Sequence, residues 1–390
     1  MRNTDESLIV ENGSLVLPDS IVEGGALLVK DGLIEEVGKR GIAAGKDVRR
    51  IDASGCLVIP GLIDLHSDAL ERELEPRPNA FFPTEMVLLE LDRKLAAVGI
   101  TTMYHAISFA EGEIGTRSNK MAEALIREIK GLTDRFKIRT KVHARYELTD
   151  AEAVPAVERL IDEGKIDLFS LMDHTPGQGQ FRELEHFHQY YGVVHHKTKD
   201  EIEELIERKV AAKDSVAPRL EHLMGKCLAA SIPLASHDDD TREKLAWLNE
   251  RSRFISEFPV TMEAAEAACA FGFPVCLGAP NALRGVSLSR NLSAREAVSR
   301  GLCGILCSDY APMALLQGAF TLFDLGILNL PETIAMVTIN PARAVGIGNE
   351  TGSIEVGKNA DFVIVKKHAG YAEVVKTFVS GREVYATCIK

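Results

Sequence analysis

From about residue 57 to residue 309, short apolar runs alternate with stretches whose apolar residues recur every three or four positions. The first kind reads as buried strand and the second as amphipathic helix. Strands are predicted near 57–66, 100–107, 138–147, 166–173, 231–237, 253–258, 273–279 and 303–309. Helical spacing fills the intervals, for example over Glu85–Val98, Lys120–Lys130, Thr261–Ala270 and Ala294–Arg300. Eight strands alternating with helices predict an α/β fold, a (β/α)₈ TIM-type barrel over residues 56–345.

The two ends have another character. Asn12-Gly13 and Asp31-Gly32 are hairpin signals between apolar runs, and Gly357-Lys358-Asn359 and Ser380-Gly381 separate strand-like runs near the other end. Neither end alone holds enough apolar surface to be stable. Residues 1–55 and 346–390 are therefore expected to build one small β-sandwich together. The longest interruption of the barrel pattern lies between its fourth and fifth strands. There KTKDEIEELIERKVAAK sets Ile202, Leu205, Ile206 and Val210 on one face, which predicts an amphipathic helix packed on the barrel.

Composition narrows the function. Of 390 residues, 46% are hydrophobic, enough for a large core, and the net charge is −12. An acidic balance argues against nucleic acid and against an anionic membrane surface as partners. No stretch approaches the roughly 20 apolar residues of a membrane span, and MRNTDESLIV has no charged-then-apolar leader pattern. Seven cysteines without a CxxC pair read as buried thiols of a reducing compartment, so the cytoplasm is the expected location. GxGxxG after a strand, GxxxxGK[ST], GxSxG and HExxH are all missing from the chain.

Barrel enzymes carry their reactive groups at the C-terminal ends of strands. The first predicted strand ends in Asp64, His66 and Asp68. A period of two turns His66 and Asp68 to one face, where an imidazole and a carboxylate suit a divalent metal. The third ends in His143, Arg145 and Glu147, again alternating. The fourth ends in Asp173-His174 and a glycine-rich loop, the fifth in His237 and three aspartates, the eighth in Asp309. One histidine at a strand end is usually a structural residue; recurrence at five of eight strand ends points to a site. Arg72, Arg77, Arg145 and Arg284 offer cations for an anionic substrate, since guanidinium matches phosphate bidentately.

A bipartite sandwich around such a barrel resembles the amidohydrolase superfamily, with His-x-Asp (His66, Asp68) in place of the commoner His-x-His. The segments DLHSDALERELEPRP, SLMDHTPGQGQF, ASHDDDT, GAPNALRG and SDYAP are more closely similar to one branch of it. That branch comprises the ribose 1-methylphosphonate 5-triphosphate diphosphatases of phosphonate catabolism. The resemblance covers about residues 55–345. GVSLSRN at 285–291 departs from it through Leu288 and Arg290.

The resemblance implies a metal set of His66, Asp68, Glu147, His174, His237 and Asp309. Glu147 would bridge two ions, with His143 competing for the third-strand place. Zinc is the expected divalent metal, one ion or two, with manganese and iron as alternatives. Asp309 would act as general base toward a metal-activated hydroxide that attacks phosphorus and releases pyrophosphate. Arg72, Arg77, Arg145, Gly177, Gly179, Asp239, Asn281 and Arg284 would contact the substrate, a small phosphorylated sugar. A homo-oligomer is left open. Two other readings are kept: an amidase or deaminase acting on a C–N bond, and a barrel that has lost catalysis and serves as a scaffold.

Overall fold

The computed structural model describes residues 7–387 apart from 40, 44, 46–47, 78–79, 112–117, 182–183, 195–196, 213–214 and 288–290. Eight parallel strands form the barrel: Leu62–Ser67, Ile100–Phe109, Arg139–Glu147, Leu168–Met172, Leu234–His237, Phe254–Glu257, Val275–Gly278 and Ile305–Cys307. Each pairs with its sequence neighbours, the order expected of a (β/α)₈ barrel. A bridge between Ser67 and Asp309 joins the last strand to the first. The interior is filled by Ile63, Leu65, Tyr104, Leu168, Ala235, Ile255, Cys276 and Ile305. The opposite faces of the strands pack on the helices in a larger core.

Both chain ends share the second sheet, which is mainly antiparallel. Its strands Leu8–Val16, Ile21–Lys30, Leu33–Lys39, Arg49–Asp52 and Leu57–Pro60 come from the start of the chain. Phe362–His368, Tyr371–Val379 and Arg382–Ala386 come from the end. Leu57–Pro60 joins the halves, pairing with Ser14-Leu15 on one side and Phe362–Val365 on the other. Val10, Leu27, Val58, Phe362 and Phe378 fill one core, with the two phenylalanine rings stacked 4.3 Å apart.

Three local patterns differ from the sequence reading. The run predicted as one strand over 57–66 is two strands in two sheets, broken at Pro60-Gly61. Pro60 has no N–H to continue the ladder, and Gly61 N donates to Asp361 O over 2.9 Å where the chain crosses into the barrel. Asn12-Gly13 is no turn. Asn12, at φ 66°, and Gly13 form a bulge inside the first strand, and a Cβ at Gly13 would lie 2.8 Å from Val58. Cys269 is exposed, whereas Cys56, Cys227, Cys276, Cys303 and Cys307 are buried as expected.

The segment between the fourth and fifth strands has its own small core. Phe181, Phe187, Tyr191, Ile202 and Leu205 pack together, the Phe187 and Tyr191 rings 4.5 Å apart. The expected helix is there, Lys199–Ala212, but its inward face is shifted. Val210 is 55% exposed and Lys209 is buried to 2%. Among the described residues no helix is long and apolar enough to cross a membrane.

Candidate metal centre and its charged neighbours

The barrel closes at its chemistry. Asp68 N donates to Asp309 O over 2.8 Å, and Asp309 N donates to His66 O over 3.0 Å. Asp309 takes φ +55°, the left-handed region that aspartate tolerates better than most residues. Beneath it Asp64 Oδ1 accepts from Ser308 N over 3.0 Å and fastens the same seam.

Inside the seam three side chains converge. His66 Nδ1 lies 3.6 Å from Glu257 Oε1, and His143 Nε2 lies 3.6 Å from Glu257 Oε2. His143 Nδ1 is 2.9 Å from Leu65 O; a carbonyl only accepts, so Nδ1 carries the proton and Nε2 presents a lone pair. Ser170 Oγ donates to Glu257 Oε2 over 3.0 Å. His66 Nδ1, His143 Nε2 and Glu257 Oε1 are buried without a hydrogen-bond partner. One ligand atom from each of these residues lies within 4.8 Å of the other two. Unpartnered buried polar atoms are costly, and two imidazoles with a carboxylate are a donor set that divalent metals take. These residues fit such an ion.

Burial opposes a charge on His66. Asp68 and Glu257 outweigh it and push its pKa up to about 10, so an ion would compete with a proton there. Burial lowers His143 to about 4. Glu257 is also buried, but His143 and His66 hold it down at about 2.

Arg145, buried to 5%, enters from the third strand between Asp68 and His237. Its Nη1 lies 3.1 Å from Asp68 Oδ1, and its Nη2 donates to His237 Nε2 over 2.6 Å. Burial, then Arg145, hold His237 well below the usual imidazole range. Behind this group Glu147 Oε1 receives Lys209 Nζ over 2.8 Å and Thr149 Oγ1 over 2.8 Å. Glu147 Oε2 lies 3.1 Å from His174 Nδ1. Burial alone would raise the Glu147 carboxyl; Lys209 and His174 overcome it and hold the group well below the usual range. Burial, then the Asp68 charge, push Asp309 up to about 6.

The other expected contacts scatter. The Arg72 guanidinium lies 5.1 Å over the Tyr310 ring, next to Asp309. Arg72, Arg77 and Arg284 are all exposed. Asp239 is fully buried and takes Ser236, Ser256 and Lys244 at 2.5, 2.5 and 2.9 Å. Asn281 spends its amide on Leu292 O and Ala294 N. Gly177 N donates to Phe181 O and Gly179 N to Asp240 Oδ2, so neither is turned to a phosphate. Both glycines line a cavity of about 510 Å³ between the fourth and fifth strands and the helices Val216–Ala229 and Arg242–Asn249. Leu288 and Arg290 lie outside the described residues.

Two residues of the site escaped the sequence reading. Glu257 ends the sixth strand after an apolar run, the same signal that singled out the other strand ends. Lys209 carried no such signal, because a lysine on a charged helix reads as solvated.

Comparison with known proteins agrees with this architecture. Residues 83–384 match the Amidohydrolase family. The alpha-D-ribose 1-methylphosphonate 5-triphosphate diphosphatase of Escherichia coli (strain K12) is 35% identical over 340 residues, covering 86% of this chain and 90% of that protein. An imidazolonepropionase of Symbiobacterium thermophilum is 28% identical, covering 88% of this chain and 84% of that protein. Among solved structures, a molinate hydrolase aligns with a TM-score of 0.64 at 15% identity, over 97% of this chain and 95% of that one. An N-acetylglucosamine-6-phosphate deacetylase from Pasteurella multocida aligns at 0.65 and 14%, over 98% and 100%. These two share the fold. With its eight-stranded barrel, its sheet from both chain ends and the extent of these matches, the chain belongs to the amidohydrolase family and is a metal-dependent hydrolase.

Proposed function

We propose that this enzyme hydrolyses the 5-triphosphate of a ribose 1-alkylphosphonate, giving the 5-phosphate and pyrophosphate. The observation that carries the reading is the 35% identity, over most of both chains, to a protein of that activity. The site chemistry is compatible with it. His66, His143 and Glu257 would hold a divalent ion, which when bound lowers the pKa of a water molecule and polarises a phosphoryl oxygen. Asp309 stands at the barrel mouth as the proton acceptor; burial and Asp68 raise it to about 6, which makes it a better base than an ordinary aspartate. Water oxygen bonds to phosphorus, its proton passes to Asp309, and the P–O bond to the departing pyrophosphate breaks with its electron pair on pyrophosphate. Arg145 offers a fixed, nearly dry guanidinium to the phosphoryl oxygens. Arg72, beside Tyr310, is the outer cation for the triphosphate tail.

The test is pyrophosphate release from a ribose 1-methylphosphonate 5-triphosphate by metal-loaded enzyme, with Asp309→Asn in parallel. Release by wild type, reduced at least about 100-fold in Asp309→Asn, is the expected outcome. A loaded enzyme that releases no pyrophosphate but cleaves an amide or amidine would move the assignment to C–N hydrolysis.

A further inference from the structure

We infer that the centre is built for one divalent ion, held by His66, His143 and Glu257, and that Arg145 takes a second cation's place and receives a phosphoryl oxygen. The phosphoryl part rests on the proposed function; the ion count does not.

Two kinds of group meet at the barrel mouth. The first is the set of three orphaned atoms, His66 Nδ1, His143 Nε2 and Glu257 Oε1, which face one another without a partner. The second comprises the donors a further ion would need, and these are already engaged within the protein, three of them by its own cations. Asp68 and His237 are spanned by one guanidinium, at 3.1 and 2.6 Å. Glu147 receives the Lys209 ammonium at 2.8 Å, and His174 is turned to that same carboxylate. An ion set among Asp68, His237 and Glu147 would have to displace both cations into a nearly dry space. In a low-dielectric site, charges of one sign a few ångströms apart repel strongly.

Arg145 is also incompletely used. Its Nε is buried and lacks a hydrogen-bond partner. A guanidinium with two nitrogens pinned by Asp68 and His237 is already fixed in orientation, so it would need little reorganisation to receive an oxyanion. A bound ion on one side and a guanidinium on the other would then grip the transferred phosphoryl group from two directions. The long helical segment after the fourth strand has a part in this, since it brings Lys209 to Glu147 and leaves Arg145 to Asp68 and His237.

The measurement is the metal content of the full-length protein, reconstituted with manganese and freed of loose ion. It is read by elemental analysis and by electron paramagnetic resonance. Wild type is expected to hold one ion per chain, with the six-line spectrum of an isolated manganese. His143→Ala and Glu257→Gln should lose it, whereas Glu147→Gln should keep it. Arg145→Gln should bind up to two ions, because Asp68 and His237 are released. It should also bind inorganic pyrophosphate at least about tenfold more weakly, as expected for loss of a charged hydrogen bond. Two ions per wild-type chain, or a spin-coupled manganese spectrum, would overturn the inference; so would an ion lost in Glu147→Gln and kept in Glu257→Gln. The wild-type count and spectrum decide the point even where a variant fails to fold. One ion without pyrophosphate release would remove the proposed function and leave the ion count standing; two ions with release would do the reverse.

Discussion

Gly61 carries the crossing between the two sheets, and its missing side chain is what permits it. A Cβ at that position would lie 2.3 Å from Thr101 Oγ1 and 2.5 Å from Thr101 Cγ2. Thr101 is fully buried on the second barrel strand and donates to Leu62 O over 3.2 Å, so it has nowhere to retreat. Gly61→Ala is expected to destabilise by about 1–3 kcal/mol, the range for overpacking a filled core, read as a lower urea midpoint with unchanged slope. Asp309 is a contrasting case. Its backbone at φ +55° is held by Asp68 N and His66 O rather than by the absence of a side chain. Asn tolerates that conformation and Ala does not. Asp309→Asn should therefore melt near wild type while losing activity, and Asp309→Ala should lose both.

At the scale of elements, the helix Lys199–Ala212 does something its sequence conceals. Lys209 and Glu147 are 2% and 1% exposed as an ion pair, so removing the lysine leaves a buried carboxylate with only Thr149 and His174 to offset its charge. Lys209→Met should cost about 3–5 kcal/mol, and adding Glu147→Gln should restore part of it. The pair also sets a pH dependence. The Glu147 pKa is depressed in the folded chain, so its contribution is fully present above the unfolded value and is lost as pH falls through the folded one. Acid titration of stability should therefore show a steeper low-pH loss in wild type than in the double variant. Glu257 and Lys209 mark where sequence reading stops at this scale. Apolar spacing locates strands and helices, and a strand-end rule locates His66, His143 and Asp309. Which strand-end residues meet depends on barrel register, and a lysine that reaches inward looks like one that points out.

For the molecule as a whole, the barrel was legible because most of its eight strands are short apolar runs bounded by polar residues, while the third, Arg139–Glu147, alternates polar and apolar positions. The end sheet was legible because neither end has a core of its own. The break at Pro60-Gly61 was not, since the run is apolar on both sides of it and only the third dimension assigns its halves to different sheets. The exposed arginines at 72, 77 and 284 and the buried one at 145 are alike in sequence; burial alone separates them. A chain cut after Asp361 should fail to form the end sheet and should bind hydrophobic dyes, since Leu57–Pro60 would lose the strand that covers its edge.

That pairing also fixes a timetable. Leu57–Pro60 leaves the ribosome early, and its partner Phe362–Val365 follows about 300 residues later. At 5–20 residues per second the wait is on the order of 15–60 s. Throughout it a strand of leucine, valine and isoleucine stands with an unfilled edge directly ahead of the segment that carries His66. The enzyme is thus most exposed to mispairing while it is being made, and chaperone demand should be set by how long the intervening residues, about 300 of them, take to be synthesised.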